Sequence, residues 1–323
     1  MSKIVIIGTS GSGKTCYFYG MLHKMQRGIS GFSLRINDSE VYRRLRTGIL
    51  RLGDASVPMG ERWPDPSDRL ETYNLDLLHN MNKLDSLEWV DYPGEYVSEV
   101  EDRFIDLLDG ASCLFVCVDG SLLQGDKDEL EDIADDFYNH SGMDLCNALM
   151  RAEKKSGEAF PPVCILLTKY DAVSPELQDS ETIKAFAKAC FPVLFRAGNG
   201  KNRMVTICPV SLGKDIAEGG KLRPKNVERP ICFATYLMQY AAVQEIVKKY
   251  RNFLEISEQM AKDYNEKSFF GKLISPKPPV LSEEQKQAVI ELINTAESDL
   301  KDLLAMVNSL PLYINGESVN WPD

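Results

Sequence analysis

The sequence predicts an α/β fold: a doubly wound, mostly parallel sheet of about six strands with a C-terminal helical hairpin. Three observations point there. Five apolar runs of strand length, Lys3 to Ile7, Ser86 to Asp91, Ser112 to Val118, Val163 to Thr168 and Met204 to Cys208, are nearly continuous rather than alternating, which suits strands covered on both faces. Helix-like segments separate them, at Lys14 to Gln26, Ser98 to Leu108, Leu130 to Lys155 and Thr182 to Arg196. After Pro230 the pattern becomes helical throughout.

Taken in order, the first run breaks into a glycine-rich turn and then a helix beginning at Lys14. Glu71 to Leu78 alternates partially and leads through "HNMNKLDS" into the second run, so it reads as an antiparallel strand of a hairpin. Near the C-terminus Val289, Ile293, Ala296, Leu300, Leu303, Val307 and Leu310 follow steps of four and three, a heptad seam. Val243, Val247, Tyr250, Leu254, Ala261 and Tyr264 repeat it, with Ser257 interrupting. Ser282 is placed to cap the second helix. The expected division is an α/β domain over 1–240 and a helical hairpin extension over 241–323.

The chain has 323 residues, 44% of them hydrophobic, enough for a sizeable core, and a net charge of −11 that disfavours nonspecific binding to nucleic acid or anionic membrane. Its eight cysteines are scattered without a Cys-x-x-Cys pair, and several sit inside apolar runs, which reads as a reducing compartment. With no apolar stretch of membrane-spanning length, the expectation is a cytoplasmic protein without nucleic-acid partners.

Gly8-Thr9-Ser10-Gly11-Ser12-Gly13-Lys14-Thr15 matches G-x-x-x-x-G-K-[ST] between a strand and a helix, the phosphate-cradling loop. Backbone N–H groups from Gly8 through Cys16 turn toward phosphate oxygens, aided by the positive end of the following helix. In such loops the lysine, here Lys14, reaches the β- and γ-phosphates, and the hydroxyl, here Thr15, ligates Mg²⁺. At the end of the fourth run stands Thr168-Lys169-Tyr170-Asp171. A carboxylate at Asp171 accepts both N1–H and N2–H₂ of guanine, a donor pair that adenine lacks, and Lys169 can lay its stem over the purine.

Thr168-Lys169-Tyr170-Asp171 resembles the [NT]-K-x-D motif of the Ras-like GTPases, in the right order after the phosphate loop. The resemblance covers about residues 1–245 and implies roles for further residues. Asp91-Tyr92-Pro93-Gly94 is similar to the family's D-x-x-G, implying that Asp91 holds Mg²⁺ through water and that the Gly94 N–H meets the γ-phosphate. Pro209-Val210-Ser211 is similar to the last guanine loop, implying base contacts from the backbone at Ser211 and Leu212. Trp63-Pro64, Asp91-Tyr92-Pro93-Gly94-Glu95 and the Thr168 motif together look closest to the double-GTPase proteins of bacterial conflict systems, which are thought to act beside effector partners.

Departures from that pattern bear on mechanism. The first mobile loop, Met59 to Thr72, offers Ser67 where the family places its Mg²⁺-sensing threonine, with Thr72 as fallback. Glu95 stands where many relatives use a water-orienting glutamine. Its charge beside an anionic γ-phosphate implies slow hydrolysis, and a helix N-terminal charge is its plainer reading. The expected ligands are GTP or GDP with Mg²⁺, and the expected activity is a slow GTPase switch in which Lys14 and Glu95 serve the chemistry. An ATP-using enzyme of the same superfold, or a nonhydrolysing scaffold, remain the alternatives. His23, His79 and His140 lack ligand spacing, the acidic stretch from Gly125 to Asp136 reads as a solvated helix face, and Trp89 reads as packing.

Overall fold

The computed structural model describes residues 1–65, 69–94, 106–108, 110–156, 160–196, 202–214, 216, 220–266 and 281–322. Its strands are β1 (Ser2–Ile7), β2 (Phe32–Ile36), β3 (Glu71–His79), β4 (Asn82–Asp91), β5 (Cys113–Asp119), β6 (Val163–Thr168), β7 (Met204–Pro209), β8 (Leu312–Ile314) and β9 (Glu317–Val319). They form one sheet in the order β2-β3-β4-β1-β5-β6-β7-β8-β9. β4, β1, β5, β6 and β7 are parallel neighbours, whereas β2-β3, β3-β4, β7-β8 and β8-β9 pair antiparallel. The expectation of about six mostly parallel strands is thus corrected: the sheet has nine strands among the described residues and is mixed, a parallel centre with an antiparallel ribbon on each flank.

The helices are α1 (Lys14–Met25), α2 (Ser39–Gly53), α3 (Met59–Arg62), α4 (Leu130–Phe137), α5 (Met143–Ser156), α6 (Ser180–Cys190), α7 (Arg229–Glu266) and α8 (Glu283–Val307). The single helix expected from Leu130 to Lys155 is instead two, joined by a π turn at Tyr138–Gly142, and the one expected from Thr182 to Arg196 ends at Cys190. Of the helix expected over Ser98–Leu108, only 106–108 are described, and they are helical.

The pleat of the central strands divides the core. Val5, Ile7, Val90, Val116 and Ile165 share one cluster with residues of α4, α5 and α6. On the opposite face Trp89 stacks on Phe18 at 4.9 Å and meets Phe115 edge-on at 5.6 Å, while Tyr17 packs against both. Trp89 is fully buried, so it serves packing as its sequence context suggests. Apolar side chains on both faces explain the continuous hydrophobic runs.

Two compact units are distinguished. The first comprises Met1–Ala234 and Met306–Asp323, the second Thr235–Ala305, so the last eighteen residues belong to the first unit, where β8 and β9 extend its sheet. In the second unit the heptad positions are the less exposed ones: Val243, Leu300 and Leu303 are buried, and Val247, Tyr250, Leu254, Ala261, Tyr264, Val289, Ile293 and Ala296 half-buried. Ser282 caps α8 reciprocally: its Oγ accepts from the Gln285 N–H at 3.2 Å, and its own N–H donates to Gln285 Oε1 at 2.9 Å. Among the described residues no helix is long and apolar enough to cross a membrane. All eight cysteines are free, and seven are buried.

Candidate functional site

Four parallel strands deliver their carboxyl ends to one edge of the sheet, the usual place for a ligand in an open α/β fold. β1 runs into the glycine loop, β4 ends at Asp91, β6 at Thr168 and β7 at Pro209. The glycine loop is pinned from beneath by Thr168, whose hydroxyl lies 2.7 Å from the Ser12 carbonyl and 3.0 Å from that of Val118. One side chain therefore locks the ends of β5 and β6 to the loop. Gly13, which caps α1, has φ of 87° and faces the Thr168 side chain, where an added Cβ would sit at 3.3 Å. A side chain is disfavoured there both by conformation and by space.

Lys14 is 7% exposed, and its ammonium donates to the carbonyls of Gly8 at 2.8 Å and Thr9 at 3.2 Å. Burial lowers its pKa, an effect opposed by the neighbouring Cys117 and Asp91. Asp91 is 2% exposed, and burial pushes its carboxyl up to about 6 despite the nearby Lys14 ammonium and a hydrogen bond from Thr15. Its Oδ1 has no hydrogen-bond partner among the described residues. A buried carboxylate oxygen left without a donor, beside a threonine hydroxyl, is a hard-oxygen pair that fits Mg²⁺, which takes few protein ligands and fills its octahedron with phosphate and water. Among the described residues no group of three His, Cys, Asp or Glu could hold a metal ion.

Gly94 lies against the same loop. A Cβ there would stand 2.4 Å from the Ser10 nitrogen and 2.6 Å from the Thr9 carbonyl carbon, so only glycine lets the Asp91-to-Gly94 segment approach so closely. At the far end Lys169 takes a left-handed conformation and pairs with Asp119 at 2.5 Å. Asp119 is itself fixed at the end of β5, its other oxygen accepting from the Ser121 N–H at 3.0 Å and hydroxyl at 2.6 Å. The turn after β6 is tied to the loop after β7: the Tyr170 N–H donates to the Val210 carbonyl at 3.1 Å, and the Val210 N–H to that of Leu167 at 2.8 Å. Asp171, half-buried, has no protein partner for its carboxylate among the described residues.

These pieces enclose one cavity of about 700 Å³. Of the residues expected to bind nucleotide, Ser10, Gly11, Gly13, Lys14, Thr15, Cys16, Gly94, Thr168, Lys169, Asp171, Ser211 and Leu212 line it. Gly8 and Ser12 lie behind the lining, and Asp91 reaches the site through Thr15. Ser67 and Glu95 fall outside the described residues. Sequence reasoning gave no site role to Asp119, Ser121, Asp65 or Lys214; Asp119, at the end of an apolar strand in "CVDG", carried a readable signal.

No family model matches the chain, and no curated protein matches it. Solved structures similar to it include the S. cerevisiae Ski7 GTPase-like domain bound to GTP, at 14% identity over 66% of this chain and 44% of that one, with a TM-score of 0.38. The same domain bound to GDP and inorganic phosphate is similar at 14% identity over 65% and 43% of the two chains, with a TM-score of 0.36. The chain spans less than half the length of either structure.

Proposed function

We propose that the cavity binds a guanine nucleotide with Mg²⁺ and that the protein is a slow GTPase acting as a nucleotide-controlled switch. The observation that carries this reading is the unpartnered Asp171 carboxylate in the cavity that also holds the glycine loop. A single ligand with phosphates at one end and paired N–H donors at the other satisfies both. Lys14, whose desolvation is only partly offset by the neighbouring Cys117 and Asp91, regains a stable charge when a phosphate oxygen approaches. Thr15 and Asp91 would hold Mg²⁺, which neutralises phosphate charge and fixes the phosphate chain. Lys169, held by Asp119, would flank the purine, and the backbone at Ser211 and Leu212 would face the base.

The chain's own residues set the rest of the mechanism. The Gly94 N–H would sense a terminal phosphate, so that loss of this phosphate would release the segment after Asp91. Glu95 would orient water poorly because its charge opposes the phosphate, which keeps turnover slow. With the Trp63-Pro64 and Asp91-to-Glu95 likeness, we place the switch beside a protein effector in the cytoplasm, in a bacterial conflict or defence system.

Equilibrium binding of fluorescent GTP and ATP in Mg²⁺ tests the reading. The expected result is clear preference for GTP, weakened at least about tenfold by Lys14→Ala or Thr15→Ala with circular dichroism unchanged. Micromolar ATP binding without GTP preference contradicts it.

A further inference from the structure

A second cavity, of about 340 Å³, adjoins the first and shares Thr15, Trp63, Pro64 and Asp65 with it. Its other walls come from α1, α2, α3 and the start of β3, and among the described residues four guanidinium groups, those of Arg44, Arg51, Arg62 and Arg69, line it against the two carboxylates of Asp65 and Glu71. That excess of positive charge stands out in a chain of net charge −11.

The guanidiniums are not equivalent. Arg44 and Arg69 share one carboxylate, that of Glu71, at 3.5 and 4.0 Å, and the Tyr73 hydroxyl also bonds to it. Arg62 is 2% exposed; its Nη2 donates to the carbonyls of Leu52 at 3.1 Å and Gly220 at 2.8 Å, yet its Nε and Nη1 have no partner among the described residues. A buried cation with three of its five N–H donors unmet is costly unless an anion completes it. Arg51, exposed at the rim, has no partner for its side chain among the described residues. Tyr19 and Trp63 add aromatic surface to the lining.

We propose that this cavity is a second ligand site taking a phosphorylated small molecule of nucleoside-monophosphate size, its phosphate held by Arg62 and Arg51 and its ring packed on Tyr19 and Trp63. The volume suits such a ligand, and a planar guanidinium fork matches phosphate geometry. The assignment does not depend on which base the first cavity reads.

The test is calorimetric titration of uridine monophosphate, and separately of inorganic phosphate, into protein loaded with Mg²⁺ and a nonhydrolysable GTP analogue, so that the glycine loop is occupied. If loading fails, the guanine reading fails by itself, and the titration is run on unloaded Lys14→Ala protein, whose glycine loop is disabled. Uridine monophosphate should bind at submillimolar concentration, and phosphate more weakly. Arg51→Gln should weaken both at least about tenfold with circular dichroism unchanged, and Arg62→Gln should abolish them. Because the buried Arg62 also supports the fold, the exposed Arg51→Gln variant decides the matter. Absence of saturable binding at millimolar ligand, or equal affinity in wild type and Arg51→Gln, overturns the proposal.

Discussion

Asp76 shows how a carboxylate persists inside this fold at 2% exposure. Arg35 reaches it at 2.9 Å, Lys83 at 2.8 Å and the Ser86 hydroxyl at 3.1 Å. Burial pushes its pKa up, but hydrogen bonds from Lys83, Arg35, Asn37 and Ser86 outweigh this and hold it below the ordinary carboxylate range. A folded pKa below the unfolded one means stability that is present above about pH 4 and is lost as acid protonates the native group. Asp76→Asn should cost about 1–3 kcal/mol at neutral pH. In denaturant titrations the variant should lose less stability than wild type between pH 7 and pH 3. Gly94→Ala should displace the segment after Asp91 from the loop, lowering affinity for a triphosphate more than for a diphosphate in paired binding curves, because only the former needs that contact. That Lys14, Thr15 and Asp171 line one cavity was legible because each sits in a motif of recognisable spacing. Asp76 was not, since its charged partner Arg35 lies 41 residues away, and although the strand end marks Asp119, nothing local marks its pairing with Lys169, 50 residues on.

Among the elements, the parallel strands were readable because burial on both faces writes a continuous apolar run, and Val163–Thr168 matches its expected bounds to the residue. β2 and α2 were missed although both carry signals. Phe32, Leu34 and Ile36 alternate, and Leu45, Ile49 and Leu52 form the buried stripe of a helix capped by Asp38, which accepts from the N–H groups of Glu40 and Val41. The edge hairpin β8-β9 was hidden behind the heptad seam, although its turn is Asn315-Gly316, both at positive φ. Tyr313 anchors that hairpin, 3% exposed, with Phe195 edge-on at 5.6 Å and Lys184 over its ring at 5.5 Å. Tyr313→Ala should therefore destabilise the first unit by about 3–5 kcal/mol in chemical denaturation while nucleotide affinity, which the proposed site would set at the ends of β1, β4, β6 and β7, stays within twofold at temperatures where the protein is folded.

For the molecule as a whole, the proposed ligand would bridge segments that are far apart in sequence, from the loop after β1 to the loop after β7. Binding should accordingly stabilise the first unit, by about 2.7 kcal/mol at a hundredfold excess of free nucleotide over Kd. The second unit, none of whose described residues lines that cavity, should show no such gain in hydrogen exchange. The most direct measurement of the central claim is the base preference of Asp171→Asn. In equilibrium binding with GTP and XTP, the asparagine amide can donate to the xanthine C2 carbonyl but cannot serve both guanine donors. The account predicts that GTP affinity falls at least about tenfold while XTP affinity rises, with the fold unchanged. Unaltered GTP affinity in that variant would show that Asp171 does not read the base, and the assignment of this cavity to guanine nucleotides would fall with it.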